Sequence, residues 1–318
     1  MQSIEAVIRR SGFFLRRRDL LAMGYSDDGI AAALASKRIF RVRHGWYSVP
    51  DAPEAGIRAV RVGGRLTSVS ALESYGLPVP RRRELHVTVV ETSSRLRSAD
   101  DKRTRLPNAG VRVHWTDRRG QGGSVWRVSV EDALVAVLSD ESRFVAIACC
   151  SAVLRRLGWS ADRMAAVFRR APERVWPWLE LVSDLDDSHG ETLLRLAFVE
   201  ARMWFEQQFV VRGVGHIDFR VGPHTFVEVD GAQHDPSWIG DTESSFEGDH
   251  DRDTTVAIDG GRVLRYTYRQ LYRDLPRVLA AIRRTVADDL ELTARRAQHP
   301  YRPRASRKRR SSEPQLPR

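Results

Sequence analysis

Apolar and polar residues alternate along His216-Ile217-Asp218-Phe219-Arg220-Val221 and again along Thr225-Phe226-Val227-Glu228-Val229-Asp230, on either side of a Gly222-Pro223 turn. A period of two in both runs predicts a β-hairpin, because a one-residue slip would turn the apolar side chains out of the core. Ile217, Phe219 and Val221 then share one face, and Asp218 and Arg220 the other. On the second strand Val227 and Val229 face the core, while Phe226, Glu228 and Asp230 point the opposite way. Pairing brings Asp218 near Glu228 and Asp230. Three carboxylates in one place repel each other, so the cluster calls for a cation, and oxygen ligands favour Mg²⁺ or Mn²⁺. Phosphodiester hydrolysis uses such a metal to activate water and to offset the charge developing on the phosphate. Spacing alone also admits a hairpin carrying ordinary solvated carboxylates.

The flanking residues extend the pattern. A helix capped by Ser188 precedes the hairpin and carries Glu191, and Val210-Val211 reads as a strand. A polar stretch follows the hairpin, with a helix expected from about Phe246 to Ile258 and ended by Gly260-Gly261. Val263 to Thr267 reads as a further strand, and a last helix is expected from Leu275 to about Leu290. The order α-β-β-β-α-β-α makes a mixed sheet flanked by helices. Asp218-X9-Glu228-Val229-Asp230 resembles the core of the PD-(D/E)XK nuclease superfamily, with Asp230 where the lysine usually stands. No lysine occurs between Lys102 and Lys308, so none nearby in the sequence replaces it. His216-Ile217-Asp218-Phe219, Val227 to Gly231, His234, Phe246-X2-Asp249-X2-Arg252-Asp253 and Gly260-X2-Val263-Leu264-Arg265-Tyr266-Thr267 form an ordered set. Together they resemble the bacterial domain family related to the very-short-patch mismatch-repair endonuclease, over roughly residues 186–286. The resemblance implies Asp218 as central metal ligand and Glu228 as second ligand or water-orienting carboxylate. It implies His234 as general base or metal-linked acid/base in place of the lysine, a role that suits an imidazole near neutral pH. Glu191 matches the family's early helical glutamate. Asp230 belongs to the catalytic cluster by position, and Asp249, Arg252 and Asp253 fall at helical spacing, where they lock the helix to the sheet or contact phosphate.

The first fifty residues read as a separate module. Ile4, Val7 and Ile8 form one short helix, and Arg17 to Leu21 a second. Gly24 breaks the chain, and Ser26 caps a third helix with Ile30, Ala31, Ala33 and Leu34 at helical spacing. Arg38 to Arg43 and Trp46 to Val49 flank a His44-Gly45 turn as a hairpin. Helix, turn, helix, hairpin is the order of a winged helix-turn-helix. Gly24-Tyr25-Ser26, Ile30, Leu34, Lys37 to Ile39 and Arg41 to Tyr47 resemble the N-terminal domain of AbiEi-type antitoxins, and Ser70 to Leu77 and Leu85 to Val89 continue the likeness. The resemblance implies DNA binding, with Arg16, Arg17, Arg18, Lys37, Arg38, Arg41 and Arg43 on phosphates. Asp27 and Asp28 on the recognition-helix candidate oppose that role; a winged helix used for protein contact is the alternative.

The resulting expectation is an α+β or α/β chain in four parts. These are a winged helix over 1–50, a mixed connecting domain over 54–185, a restriction-endonuclease-like sheet over 186–290 and a disordered basic tail over 294–318. The middle part has a helix from Ser68 to Gly76, a strand over Leu85 to Val90, short strands at Arg112, His114, Trp126 and Arg127, and helices over Val130 to Leu138 and Ala146 to Leu157. It shows no constellation that demands catalysis. The chain carries a net charge of +11, of which residues 294–318 supply +8, so a polyanion partner is expected, DNA ahead of RNA, with a homodimer open. The same tail is equally consistent with a solvated segment that only aids solubility. Apolar runs are far short of the roughly 18 residues of a membrane span, and early charges at Glu5, Arg9 and Arg10 argue against a secretory signal. Cys149 and Cys150, the only cysteines, are adjacent and form neither a disulfide framework nor a zinc site. A cytoplasmic location follows most simply. No P-loop, nucleophile elbow or zincin motif is present. The leading expectation is a DNA-binding, metal-dependent endonuclease. Its rival is a non-enzymatic regulator or antitoxin that keeps the nuclease fold as a scaffold.

Overall fold

The computed structural model describes residues 2–80, 84–107, 110–117, 122–211, 215–230 and 261–298. The chain is mixed α+β with three small sheets among these residues, and it divides into two compact units, Met1–Ala197 and Phe198–Arg318. No described helix is long and apolar enough to cross a membrane.

The first unit opens with α1 (Ile4–Arg10), β1 (Phe14–Arg16), α2 (Arg17–Ala22), α3 (Asp27–Ala35), β2 (Phe40–Arg43) and β3 (Trp46–Ser48). Ser3 and Ser26 accept the backbone N–H groups of Ala6 and Gly29, so each cap satisfies a donor that its helix cannot. Gly24 takes φ +88° between α2 and α3, a conformation that a side chain would resist. The three strands pair antiparallel in the order β1-β3-β2, with Phe14 opposite Ser48 and Arg16 opposite Trp46. β1 was not expected from the sequence. Three residues are too few to show a period, and only pairing with β3 makes them a strand.

The unit continues with α4 (Glu54–Val62), β4 (Arg65–Leu66), α5 (Ser68–Ser74), β5 (Leu85–Val90), β6 (Val111–Thr116), α6 (Val130–Asp140), α7 (Arg143–Leu157), α8 (Ala161–Phe168) and a 3₁₀ helix, Glu173–Leu181. β4 and β6 flank β5, antiparallel and parallel respectively. Arg112 and His114 lie in β6 as expected, but Trp126 and Arg127 stand outside the strands. That segment is held by isolated bridges, Leu66 to Arg127 and Gly123 to Val128. One buried cluster runs from Ile8, Phe14 and Leu20 through Val62, Leu66 and Val87 to Leu134 and Phe168. Residues on both sides of the expected 50/54 boundary therefore share a core. Gly56 lies where the two segments pack closely: a Cβ there would lie 2.9 Å from Trp126 and 3.0 Å from Phe14. Cys149 and Cys150 are fully buried in α7, and burial pushes the Cys150 thiol well up, which makes it a packing residue.

α9 (His189–Glu200) ends the first unit and contributes Phe198 to the second. The second unit holds β7 (Glu206–Val211), β8 (Gly215–Arg220), β9 (Thr225–Asp230), β10 (Arg262–Thr267) and α10 (Tyr268–Gln298). Its sheet has the order β10-β9-β8-β7, with β9 and β10 parallel and the other pairs antiparallel. Phe219 packs edge-on to Phe198 and Phe205 at centroid distances of 5.4 and 6.0 Å. The hairpin turn is tied to α10 by Asp289, whose carboxylate accepts the His224 N–H at 2.8 Å and the Thr225 hydroxyl at 2.9 Å. The expected start at Leu275 falls at a break in α10, with a further helical stretch before it, and the helix runs past the expected end near Leu290. It is kinked at Asp274, where Pro276 restricts the helix and the Asp274 carboxylate caps the following turn through the Arg277 N–H. At the other end it continues to Gln298, into the region expected to be disordered, with an exposed Arg295–Glu291 ion pair one turn apart on that stretch. The helix expected over 246–258 and the residues from 299 onward lie outside the described residues.

Candidate functional site

The alternation at 216–230 is present in the second unit. Ile217, Phe219, Val227 and Val229 are buried, and Asp218, Glu228 and Asp230 are partly exposed. Phe226 departs from it. It lies on the polar face yet is buried, because its ring stacks on Phe209 of β7 at 5.9 Å.

The ladder between β8 and β9 covers Phe219 opposite Val227 and Arg220 opposite Phe226. At the next step a side chain takes over from the backbone. The Asp218 carboxylate accepts the N–H of Val229 at 2.7 Å. Val229 stands between Glu228 and Asp230, so Asp218 is anchored at the stretch of β9 that carries the other two carboxylates. Across the sheet from Asp218, Gln208 takes φ +51°, an unusual value within a strand. On the opposite side, β10 sets Arg265 beside Glu228, and its Nε donates to Oε2 of Glu228 at 2.8 Å. Asp230 lies beside Thr267.

The donor set suits a hard cation in kind. Asp218 and Glu228 are both carboxylates, and Mg²⁺ is commonly held by only one or two protein carboxylates. Among the described residues no three His, Cys, Asp or Glu side chains form a ready-made cation cage. His234, Asp249, Arg252 and Asp253 lie outside the described residues.

Glu191 belongs to the first unit and is buried there. Its carboxylate accepts the Asp187 N–H at 3.0 Å while Ser188 accepts the Glu191 N–H at 3.1 Å, a reciprocal cap on α9. Beside it, Arg195 makes a buried two-pronged ion pair with Asp186.

The seven basic residues singled out in the first fifty have different surroundings. Arg18 and Lys37 are exposed, with Arg18 Nε 3.5 Å from Asp19. Arg17 is paired with Asp27 of α3, and Arg38 with Glu5 of α1. Asp27 thus has a structural partner on the helix that was expected to meet DNA. The guanidinium groups of Arg16 and Arg41 lie over Trp46 and Tyr47 at 4.8 and 5.8 Å. Arg43 is half-buried, donates to the Arg95 carbonyl at 3.2 Å, and is held below its usual pKa by burial and then by Arg97.

Two features were missed in the sequence. Arg265 stood in a motif without a role. Its place on a strand parallel to β9 was the available signal, but register with Glu228 is non-local. The middle segment also holds a polar chain. His114 Nδ1 bonds Asp140 at 2.8 Å, its Nε2 faces His86 Nδ1 at 3.2 Å, and Glu141 lies 3.7 Å from His86 and 3.3 Å from Arg112. Burial lowers the His114 pKa, against the opposing hydrogen bond and charge of Asp140. The alternation of β5 and β6 put His86 and His114 on strands, and only the parallel pairing brought them together.

No protein-family model matches the chain, and no curated protein matches its sequence.

Proposed function

We propose that the chain binds DNA through a winged helix in its first fifty residues and cuts phosphodiester bonds with an endonuclease-like site on β8 and β9. The observation that carries the nuclease reading is the anchoring of Asp218 on Val229, between Glu228 and Asp230. It supports Asp218 and Glu228 as the holders of Mg²⁺ or Mn²⁺. Bound there, the cation would lower the pKa of water and offset charge on the scissile phosphate. Arg265 supplies fixed positive charge beside Glu228 in a site whose motif lacks the lysine. His234 is the proposed general base. The element order α1-β1-α2-α3-β2-β3, with the sheet order β1-β3-β2, supports the winged-helix reading.

One observation favours the rival, a DNA-binding regulator with an inactive nuclease fold. Glu228 is already ion-paired with Arg265, so a cation there must compete with a guanidinium. Incubation of the full chain with supercoiled plasmid decides between the readings. Nicking that requires Mg²⁺ or Mn²⁺ and stops with chelator supports the nuclease. DNA binding without cleavage under either metal supports the regulator.

A further inference from the structure

A recess of about 720 Å³ opens in the first unit between the β1–β3 sheet and the β4–β5–β6 sheet. Arg16, Arg18 and Arg65 line it with one lining carboxylate, Asp19; Arg65 also donates to the Gly122 carbonyl at 3.3 Å and feels the charge of Asp132 outside the lining. The Asp19 carboxylate is committed locally: it accepts the Arg16 backbone N–H at 3.3 Å and lies 3.5 Å from Arg18 Nε. Three guanidinium groups around one engaged carboxylate in the lining leave an excess of positive charge, even with Asp132 near Arg65, and favour an anion. Arginine suits phosphate, because its planar fork can make two parallel hydrogen bonds. The rest of the lining is flat or small. Arg16 lies over the Trp46 ring at 4.8 Å, and Phe14, Val89 and Val125 add apolar wall. Gly64 keeps the floor bare, since a Cβ there would fall 2.1 Å from the Thr88 carbonyl oxygen. The volume lies in the range of small-ligand pockets, roughly 300–1,000 Å³.

We propose that this recess binds a nucleotide, its phosphate taken by Arg18 and Arg65 and its base by the flat Arg16–Trp46 stack. Aromatic and guanidinium planes both stack on bases, and the combination with cationic groups is how single nucleotides are held. The inference stands apart from the nuclease reading. It extends the nucleic-acid-binding residues into the middle segment, which the sequence presented as packing. The ligand is either a free mononucleotide or one nucleotide of a single strand, and both present the same chemistry.

Calorimetric titration of the full chain with AMP, with a four-residue thymidine strand and with inorganic phosphate tests it. One equivalent of AMP or of the strand should bind, and more tightly than phosphate. Arg18→Gln and Arg65→Gln should each weaken binding by at least about tenfold, the usual scale for removing a charge-assisted bond. Arg284→Gln, an exposed change elsewhere, should leave it unaltered. Arg18 is 72% exposed, so its variant tests the site even if Arg65→Gln does not fold. Binding of the strand but not AMP assigns the site to single-stranded nucleic acid, and binding of AMP alone assigns it to a free nucleotide. No binding of either probe, or affinity unchanged in Arg18→Gln, overturns the proposal. A parallel titration with duplex DNA separates the two readings: duplex binding without nucleotide binding leaves the DNA reading standing and removes this one.

Discussion

Asp218 is held by a backbone N–H of the neighbouring strand, which fixes the orientation of its carboxylate. Asp218→Asn keeps the size of the side chain and removes its charge. We expect it to abolish metal-dependent plasmid nicking while DNA affinity, measured by gel shift, stays within about twofold. Nicking at the wild-type rate would remove Asp218 from the site. His234→Ala should slow cleavage by roughly 10²–10⁴, the usual worth of general acid–base help, with a smaller effect on metal affinity. His114 titrates for a different reason. Its folded pKa is lowered by burial, whereas the unfolded chain has an ordinary histidine near ~6.5. As the pH falls below that value the unfolded state takes up a proton that the folded state resists. Stability is therefore full above pH ~6.5 and is lost as pH drops through the folded value. Urea midpoints measured at pH 7.5 and 5.5 should fall on acidification, and His114→Gln should flatten the difference. A midpoint independent of pH in the wild type would show that His114 is not desolvated.

At the scale of elements, the joint between α4 and β5 tolerates least. Gly64 lies where a methyl group would meet the Thr88 backbone oxygen, not a movable side chain. Gly64→Ala must therefore shift β4 against β5, and overpacking of this kind typically costs about 1–3 kcal/mol. Thermal unfolding checks this, and an unchanged midpoint would mean that the strands part easily. The caps are legible by contrast. Ser26 and Ser188, the caps read from the sequence, each accept the N–H three residues on, a pattern that needs only local sequence, and Ser129 and Ser160 do the same at helix starts where no cap was read. Strand faces in β8 and β9 were legible too, since period two is local. β1 and the C-terminal extent of α10 were not: β1 exists only through its pairing with β3, and the helix runs on to Gln298.

For the whole molecule, charge is concentrated at the C-terminal end. Residues 294–318 carry nine basic side chains and one acidic. Removing the segment should weaken non-specific DNA binding and lower the slope of log affinity against log salt, by about 0.9 for each duplex phosphate that the tail would otherwise neutralise. Equal slopes for the full and shortened chains would show that it does not touch DNA. A cut within α10, whose described part reaches Gln298, would also remove helix, so truncation after residue 298 isolates the charge effect.

Sequence by itself determined what is periodic or compositional: the two hairpin runs, the capped helices, the missing lysine and the basic end. Those signals lie within a few residues of each other, and side-chain polarity alone expresses them. Tertiary structure decided which side chains meet. It set Asp218 on Val229, Arg265 on Glu228 and His114 on His86, and it joined the first fifty residues to the middle segment through one core. Each of these depends on strand register and on packing between segments far apart in the chain. Register is a collective outcome of burying whole faces, so no local pattern encodes the partner.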